Sequence, residues 1–190
     1  RRSSSAASDV YKRQRLSFIF LFIMNITFSQ EVNWISMDKA QELQKKVPKN
    51  IMMDVYTDWC GPCKLMDKNT FQNPDVANFL NENFYAVKFN AEGNSTLKHN
   101  GKVFSNPGYS SSKSGRNSTH NFTKYLGVYG YPTIVFFDDA SNPIAPITGY
   151  LTPEQIEIYL NLFSDKKYLN IKSQEDFKVF IENFESKFKS

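Results

Sequence analysis

Short apolar stretches along the chain predict the strands of a sheet. Ile51–Tyr56 reads IMMDVY, which is apolar on both faces except for Asp54, the pattern of a central strand buried on two sides. Pro146 lies in the last of these stretches and favours a sheet edge for it, because proline has no N–H to donate to a strand ladder. The remaining predicted strands are Tyr85–Asn90, Thr133–Phe137 and residues 144–148.

Helical spacing of apolar residues and N-cap signals predict the helices between these strands. A helix over 37–46 follows Ser36 as N-cap, another begins near Cys60 and runs past Met66, and a third starts at Asn73-Pro74. A short helix over 122–126 is closed by Gly127. Two further helices follow Thr152, which opens a capping box, and Ser173, after which a phenylalanine-rich stripe predicts one apolar face. The stripe is Phe177, Phe180, Ile181, Phe184 and Phe188.

The order of these elements predicts an α/β fold with a mixed central sheet flanked by helices on both faces. The main domain is expected over residues 30–170, with a helical extension over 171–190. Residues 93–120 are rich in Gly, Ser and Asn, have little periodicity and are too long for a typical connection, so they are interpreted as an inserted loop. This insert is either a tolerated surface loop or a lid that selects substrates. The C-terminal helix is interpreted as a packing element, with a partner-binding face as the alternative.

The N-terminal residues have the character of a leader. Residues 1–14 are rich in Ser, Ala and Arg and are interpreted as a non-native or read-through tail. Residues 13–29 combine basic residues, a 13-residue apolar run and small residues before Gln30, which predicts a secretory signal peptide. The run is shorter than the roughly 20 residues that span a bilayer, so no stable membrane anchor is expected after cleavage.

The charge balance changes once this leader is set aside. The 190 residues carry 23 basic and 19 acidic side chains, a formal charge of +4. Residues 1–29 hold five of the 23 basic residues and one of the 19 acidic ones, so 18 of each sign remain. A neutral domain does not support a nucleic-acid partner.

The strongest chemical signal is the pair Cys60 and Cys63, directly after a buried strand and at the start of a helix. Unpaired N–H groups at the helix start would stabilise a Cys60 thiolate, which makes Cys60 the nucleophile. Cys63, one turn further in, would be shielded and act as the resolving thiol. The alternatives are an inert structural disulfide and half of a zinc site. A zinc site would need His99 and His120, which lie in the insert and are interpreted as surface residues, so neither a metal nor a cofactor is expected.

The segment Trp59-Cys60-Gly61-Pro62-Cys63-Lys64 resembles the active-site motif of thioredoxins. Tyr131-Pro132-Thr133 before a strand is similar to the cis-proline loop of that family, and the resemblance covers residues 37–163 apart from the insert. The run 58–71 and the leader look more like periplasmic thioredoxin-like proteins and the C-terminal domain of transmembrane thiol-disulfide interchange proteins. The resemblance implies a thioredoxin-like fold and thiol-disulfide exchange.

The resemblance also implies roles for residues outside the cysteine pair. Asp54 matches the buried acid that assists proton transfer at the second cysteine, with a strand-end acid that reaches solvent as the alternative. Lys88 matches the lysine that faces this acid, and a solvated edge lysine is the alternative. Pro132, if its bond is cis, would let Tyr131 present its backbone to an extended substrate, whereas the alternative is an ordinary turn before a strand. Substrate contacts are expected at Trp59, Gly61, Pro62, Tyr131 and Pro132.

Two functions follow from these observations. The first is a periplasmic or secreted thiol-disulfide oxidoreductase that acts on protein disulfides, takes electrons from an upstream thiol reductant and works in the reductive direction. The second is a binding module of the same fold, in which Cys60 and Cys63 form a structural disulfide. Asp54 favours the first, because a structural bridge has no need of an acid in an apolar strand.

Overall fold

The strand IMMDVY lies at the centre of a four-stranded mixed sheet in the computed structural model, which describes residues 31–189. The strand order is β2-β1-β5-β6, with β2 parallel to β1 and the other two neighbouring pairs antiparallel. The mixed sheet predicted from the sequence is confirmed. Its strands are β1 (Ile51–Tyr56), β2 (Tyr85–Asn90), β5 (Thr133–Phe137) and β6 (Pro143–Thr148).

The register of β1 fixes which side chains meet at the centre of the sheet. Asp54 is paired with Lys88 of β2 on one side and with Ile134 of β5 on the other. The β5 strand is buried along its whole length, because it lies between β1 and β6 and both of its faces are covered. Pro146 lies in β6, at the sheet edge, as predicted. Proline is tolerated there because no further strand within residues 31–189 pairs with the outer side of β6.

Helices cover both faces of the sheet and divide the core in two. Alternate residues of β1 point to opposite sides, so Met52 belongs to one cluster and Met53 to the other. The first cluster packs against α3 and α5, and the second contains residues of α1 and α4. The helices are α1 (Met37–Gln44), α2 (Gly61–Met66), α3 (Pro74–Asn83), α4 (Asn121–Tyr125), α5 (Pro153–Ser164) and α6 (Gln174–Glu182).

The predicted caps form the helix starts. The Ser36 side chain accepts from Lys39 N–H at the start of α1, and Asn73 accepts from the first N–H groups of α3. Thr152 and Gln155 form the capping box of α5. Each cap satisfies N–H groups that have no partner inside the helix.

The insert is more ordered than its composition predicted. It contains a small antiparallel hairpin of β3 (Leu97–His99) and β4 (Lys102–Phe104), so its interpretation as a loop alone is wrong. Strands of three residues are too short to show periodicity, which is why the sequence pattern missed them.

The two histidines of the insert are buried, and their interpretation as surface residues is wrong. His120 caps α4, with its Nδ1 accepting from Phe122 N–H at 3.0 Å and its Nε2 2.8 Å from the carbonyl oxygen of Ser95. His99 is enclosed by aromatic rings, including those of Phe122 and Tyr125. Histidine is intermediate between polar and apolar residues in how often it is buried, so classifying it simply as polar wrongly predicts a surface position.

The C-terminal segment also departs from the prediction. Helix α6 begins after Ser173, as predicted, but it ends at Glu182, so Phe184 and Phe188 are not part of a helical stripe. The chain instead runs back over the domain, where the Phe188 ring packs edge-on against Phe79 at 5.8 Å.

One buried carboxylate holds this returning segment. Glu157 of α5 is 3% exposed, and its Oε2 accepts from the Ser186 hydroxyl and from the backbone N–H groups of Lys187 and Phe188 at 2.5 to 2.9 Å. These contacts satisfy the backbone donors of Lys187 and Phe188, which lie beyond the end of α6, and so fix the returning segment on α5.

The leader predictions lie outside the described residues. They concern the tail at 1–14 and the signal peptide at 13–29. Between residues 31 and 189, no helix combines the length and the apolar character needed to cross a bilayer.

We expect Glu157→Gln to lower the free energy of unfolding by about 1–2 kcal/mol, because a neutral amide oxygen replaces a charged acceptor of three donors. Urea unfolding followed by circular dichroism measures the change, and trypsin should cleave after Lys187 faster than in the wild type. Glu82→Gln, at an exposed position of α3, is the matched control and should change stability by less than about 0.5 kcal/mol. Equal effects of the two substitutions would contradict the anchoring role of Glu157.

Candidate active site

The cysteine pair lies at the junction between β1 and α2. Cys60 is the N-cap of the helix, and its Sγ accepts from Cys63 N–H at 3.1 Å. The two sulfurs are joined in a disulfide with a Cα–Cα distance of 5.3 Å. Cys60 N–H donates to the carbonyl oxygen of Thr57 at 3.1 Å, which closes the turn between strand and helix.

Both cysteines are shielded from solvent, whereas the sequence analysis expected this of Cys63 alone. Cys60 is 2% exposed and Cys63 is 4% exposed. Exposure therefore does not distinguish the two sulfurs, but position does, since only Cys60 receives an N–H at the helix start. The exposed rim around the pair is formed by Trp59, Gly61 and Pro62.

Asp54 is a buried acid in the middle of β1. Its side chain is 3% exposed, and its Oδ2 lies 3.6 Å from the Nζ of Lys88. Burial raises the pKa of Asp54 to about 7, although the positive charge of Lys88 acts in the opposite direction. The carboxyl group can therefore both hold and release a proton near neutral pH.

Lys88 faces Asp54. This placement does not match the alternative interpretation of Lys88 as a solvated lysine at the sheet edge. The parallel register of β1 and β2 sets the two residues side by side. The lysine side chain is one quarter exposed, and its ammonium group lies about 5 Å from the ring centres of Trp34 and Tyr56. Such ring contacts favour a charged ammonium at a partly desolvated position.

Asp67 is a further acid at this site that the sequence analysis missed. It follows α2 in a π-helical turn, Asp67–Phe71, and its Oδ1 forms an ion pair and hydrogen bond with Lys88. The negative charge of Asp67 raises the pKa of Asp54 further. The signal was present in the spacing, because a residue four positions after Cys63 lies one helical turn beyond it on the same face.

The second loop of the site contains Tyr131 and Pro132. The bond between them is cis, as the resemblance implied. The Thr133 hydroxyl donates to the carbonyl oxygen of Gly130 at 2.8 Å and so closes the loop. The Tyr131 ring lies edge-on to the Trp59 ring, with 6.0 Å between ring centres. The structure therefore brings the proline loop and the cysteine loop together.

The insert also reaches the site, through residues that the sequence analysis did not single out. The indole N–H of Trp59 donates to Glu92 Oε2 at 2.9 Å, and the same oxygen accepts from Asn117 N–H at 2.6 Å. The Arg116 guanidinium lies 4.3 Å from the centre of the Trp59 ring. No pattern in a Gly/Ser/Asn-rich segment identifies such contacts, since they depend on how the insert folds back.

The described residues contain no group of three or more His, Cys, Asp and Glu side chains arranged to hold a metal ion. Both ring nitrogens of His120 are already engaged by the backbone.

Comparison with curated proteins finds relatives named for thiol-disulfide exchange. The thiol:disulfide interchange protein DsbD of Pectobacterium atrosepticum is 32% identical over 121 residues, which is 63% of this chain and 17% of the relative. The protein of the same name from Haemophilus ducreyi is 30% identical over 130 residues, again 63% of this chain and 18% of the relative. The chain thus spans less than one fifth of the length of these relatives.

Comparison with solved structures shows the same fold at low sequence identity. A thioredoxin-fold protein from Helicobacter pylori matches with a TM-score of 0.53 at 17% identity, covering 76% of this chain and 96% of the other. A structure described as DsbH oxidoreductase matches with a TM-score of 0.52 at 19% identity, covering 84% and 99%. The family model for a thioredoxin-like domain matches residues 37–164, more than half of the chain. The chain therefore belongs to the thioredoxin-like domain family, and the fold implied by its sequence motif is confirmed.

Proposed function

We propose that the chain is an exported thiol-disulfide oxidoreductase that reduces disulfides in protein substrates through Cys60 and Cys63. The observation that carries this proposal is that the chain has both a disulfide at a helix start and, on the strand just before it, a buried acid, Asp54, whose pKa is about 7. The names of the DsbD relatives support the same chemistry.

The first step uses the reduced form of the pair. The Cys60 thiolate attacks one sulfur of a partner disulfide, that S–S bond breaks, and the other partner sulfur leaves as a thiolate that takes up a proton. Cys63 N–H already points at Cys60 Sγ and would stabilise the thiolate by a charge-assisted hydrogen bond. The product is a mixed disulfide between Cys60 and the partner.

The second step releases the partner. The Cys63 thiol loses its proton, with Asp54 acting as the base, and the resulting thiolate attacks Cys60 Sγ. The mixed disulfide breaks, the partner leaves with its second thiol, and Cys60 and Cys63 close into a disulfide. Two electrons pass from the chain to the partner, and an upstream thiol reductant returns two electrons to restore the dithiol.

The place and direction of the reaction rest on the sequence. The signal-peptide pattern at 13–29 supports export to a periplasm or to the exterior. The Gly61-Pro62 pair between the cysteines resembles that of reductive thioredoxins and supports the reductive direction.

One observation favours the second candidate, a binding module with a structural disulfide. Cys60 and Cys63 are both at most 4% exposed, as expected of a bridge that no partner attacks. Asp54 and its two charged neighbours favour the enzyme, because a structural bridge has no use for a buried group that exchanges protons.

The function is tested by insulin reduction with dithiothreitol as the electron source. Wild-type protein should accelerate the appearance of turbidity, and Cys60→Ser should fall to the rate of dithiothreitol alone, since the attacking sulfur is gone. Cys63→Ser should accumulate mixed disulfides detectable by mass spectrometry, because the resolving thiol is absent. Equal rates for wild type and Cys60→Ser would exclude the enzymatic function.

The two candidates also differ in reduction potential. For an enzyme we expect the Cys60–Cys63 pair to titrate between about −180 and −300 mV when thiols are trapped at controlled glutathione or dithiothreitol potentials. A pair reducible only well below about −300 mV supports the structural disulfide instead.

The role of Asp54 predicts a pH dependence of stability. The pKa of Asp54 is raised from an ordinary 3.8 to about 7, so between those values the folded chain keeps a proton that the unfolded chain loses. Wild-type stability should therefore carry a penalty that grows from about pH 4 to pH 7 and then levels off. Asp54→Asn removes it and should gain a few kcal/mol relative to wild type at pH 8 but little at pH 4.

Asp54→Asn should also slow the closing of the mixed disulfide by at least about tenfold at pH 8, because the base is lost. Stopped-flow tryptophan fluorescence measures this step, and urea unfolding at several pH values measures stability. Asp75→Asn, an exposed acid of α3, is the matched control. The same pH dependence of stability in Asp54→Asn and wild type would contradict a raised pKa at this site.

A further inference from the structure

A groove of about 740 Å³ opens beside the cysteine loop and is shared between the domain and its insert. Its lining includes Trp59, which directly precedes Cys60, and Tyr131, which directly precedes cis-Pro132. The residues that matter for its chemistry are Trp59, Glu92, Arg116, Lys124, Tyr129 and Tyr131.

The groove carries two cations and one acid. Neither Arg116 nor Lys124 takes part in an ion pair between side chains of residues 31–189. Glu92 is the only acid in the lining, and one of its oxygens is occupied by Trp59 Nε1 and Asn117 N–H. The uncompensated charge of the groove is therefore positive.

Arg116 is held next to the Trp59 ring. Its guanidinium lies over the Trp59 ring, with 4.3 Å from the guanidinium carbon to the ring centre. A ring contact of this kind uses the positive charge of the guanidinium, whose planar fork of N–H donors can form two parallel bonds to a carboxylate. The ring thus fixes the cation without using its hydrogen-bonding capacity.

Tyr129 adds an apolar contact at the rim. It is 91% exposed, the highest value among the large exposed hydrophobic side chains of the described residues. Such a ring contributes nothing to the core, and rigid aromatic side chains next to arginine are typical of the residues that dominate protein interfaces.

We propose that this groove binds an extended protein segment that carries acidic side chains next to the cysteine under attack. The proposal rests on the proposed function and adds the class of partner, with Arg116 of the insert and Lys124 of α4 as the residues that select it. The segment would lie along Tyr131 and Tyr129 while its disulfide approaches Cys60.

The test uses three synthetic peptides that differ only at the two residues flanking one cysteine, which are glutamate, glutamine or lysine. Each cysteine is presented as a mixed disulfide with 2-mercaptoethanol, and kcat/KM for its reduction is measured with the full chain, with dithiothreitol as the electron source and the rate of dithiothreitol alone subtracted. Bis(2-hydroxyethyl) disulfide, which is small and neutral, reports the thiol-disulfide chemistry without the groove.

We expect wild type to prefer the glutamate peptide over the lysine peptide by about fivefold at low salt, as two exposed charge pairs allow. The preference should shrink at 0.5 M salt because the charges are screened. In the double variant Arg116→Gln, Lys124→Gln the ratio should fall below about twofold. Lys102→Gln, at an exposed insert position outside the groove, removes one positive charge from the insert without altering the groove and should keep the preference.

Equal kcat/KM values for the three peptides in wild type, or a preference for lysine, would overturn the proposed partner class. Loss of the preference in Lys102→Gln to the same extent as in the double variant would also overturn it, because net charge and not the groove would then decide. If wild type fails to reduce bis(2-hydroxyethyl) disulfide faster than Cys60→Ser does, the proposed function itself fails, which is a separate result.

Discussion

The candidate site is organised around a carboxyl group that is buried where an apolar side chain would be less costly. Asp54 lies at the centre of the sheet, paired in register with Lys88 on one side and Ile134 on the other. Burying an acid costs free energy unless it is protonated or paired, and this site combines a raised pKa with a partner cation. Lys88 in turn is shared with Asp67, which ties the sheet to the helix that begins at the cysteine pair.

The insert is a structural part of the site because both of its ends are held. The Asn106 side chain donates to the carbonyl oxygens of Gly93 and Ser118 at 3.0 and 2.7 Å, which ties the beginning of the insert to its end. With these ends joined, Arg116 and Asn117 lie next to Trp59. Arg116 contacts the face of the Trp59 ring, and Asn117 N–H donates to the same Glu92 oxygen as the indole N–H of Trp59. An insertion that only extended the surface would not need to reach Trp59, the residue beside Cys60.

The sequence predicts the framework of the site well, because the framework depends on local signals. The strands Ile51–Tyr56 and Thr133–Phe137 are continuous apolar runs, and the helix starts at Asn73 and Thr152 have side chains that cap the backbone directly. The contacts of Glu92 and Arg116 could not be predicted in this way, since they join segments 25 to 57 positions apart through an insert without periodicity. His99 and His120 were misplaced for a related reason, because burial of a polar ring depends on tertiary partners.

The shielding of both sulfurs makes the surrounding rim decisive for access. Under the proposed function, a partner disulfide would approach Cys60 across the exposed surface formed by Trp59, Gly61 and Pro62. The Trp59 side chain is fixed on its N–H edge by Glu92 and on its face by Arg116, and Tyr131 lies edge-on to it. The position of the rim is therefore set by the insert as well as by the proline loop. Under the proposed function, a change in the insert would alter access to Cys60 without touching either cysteine, so the reactivity of the pair and the choice of its partner would depend on different parts of the chain.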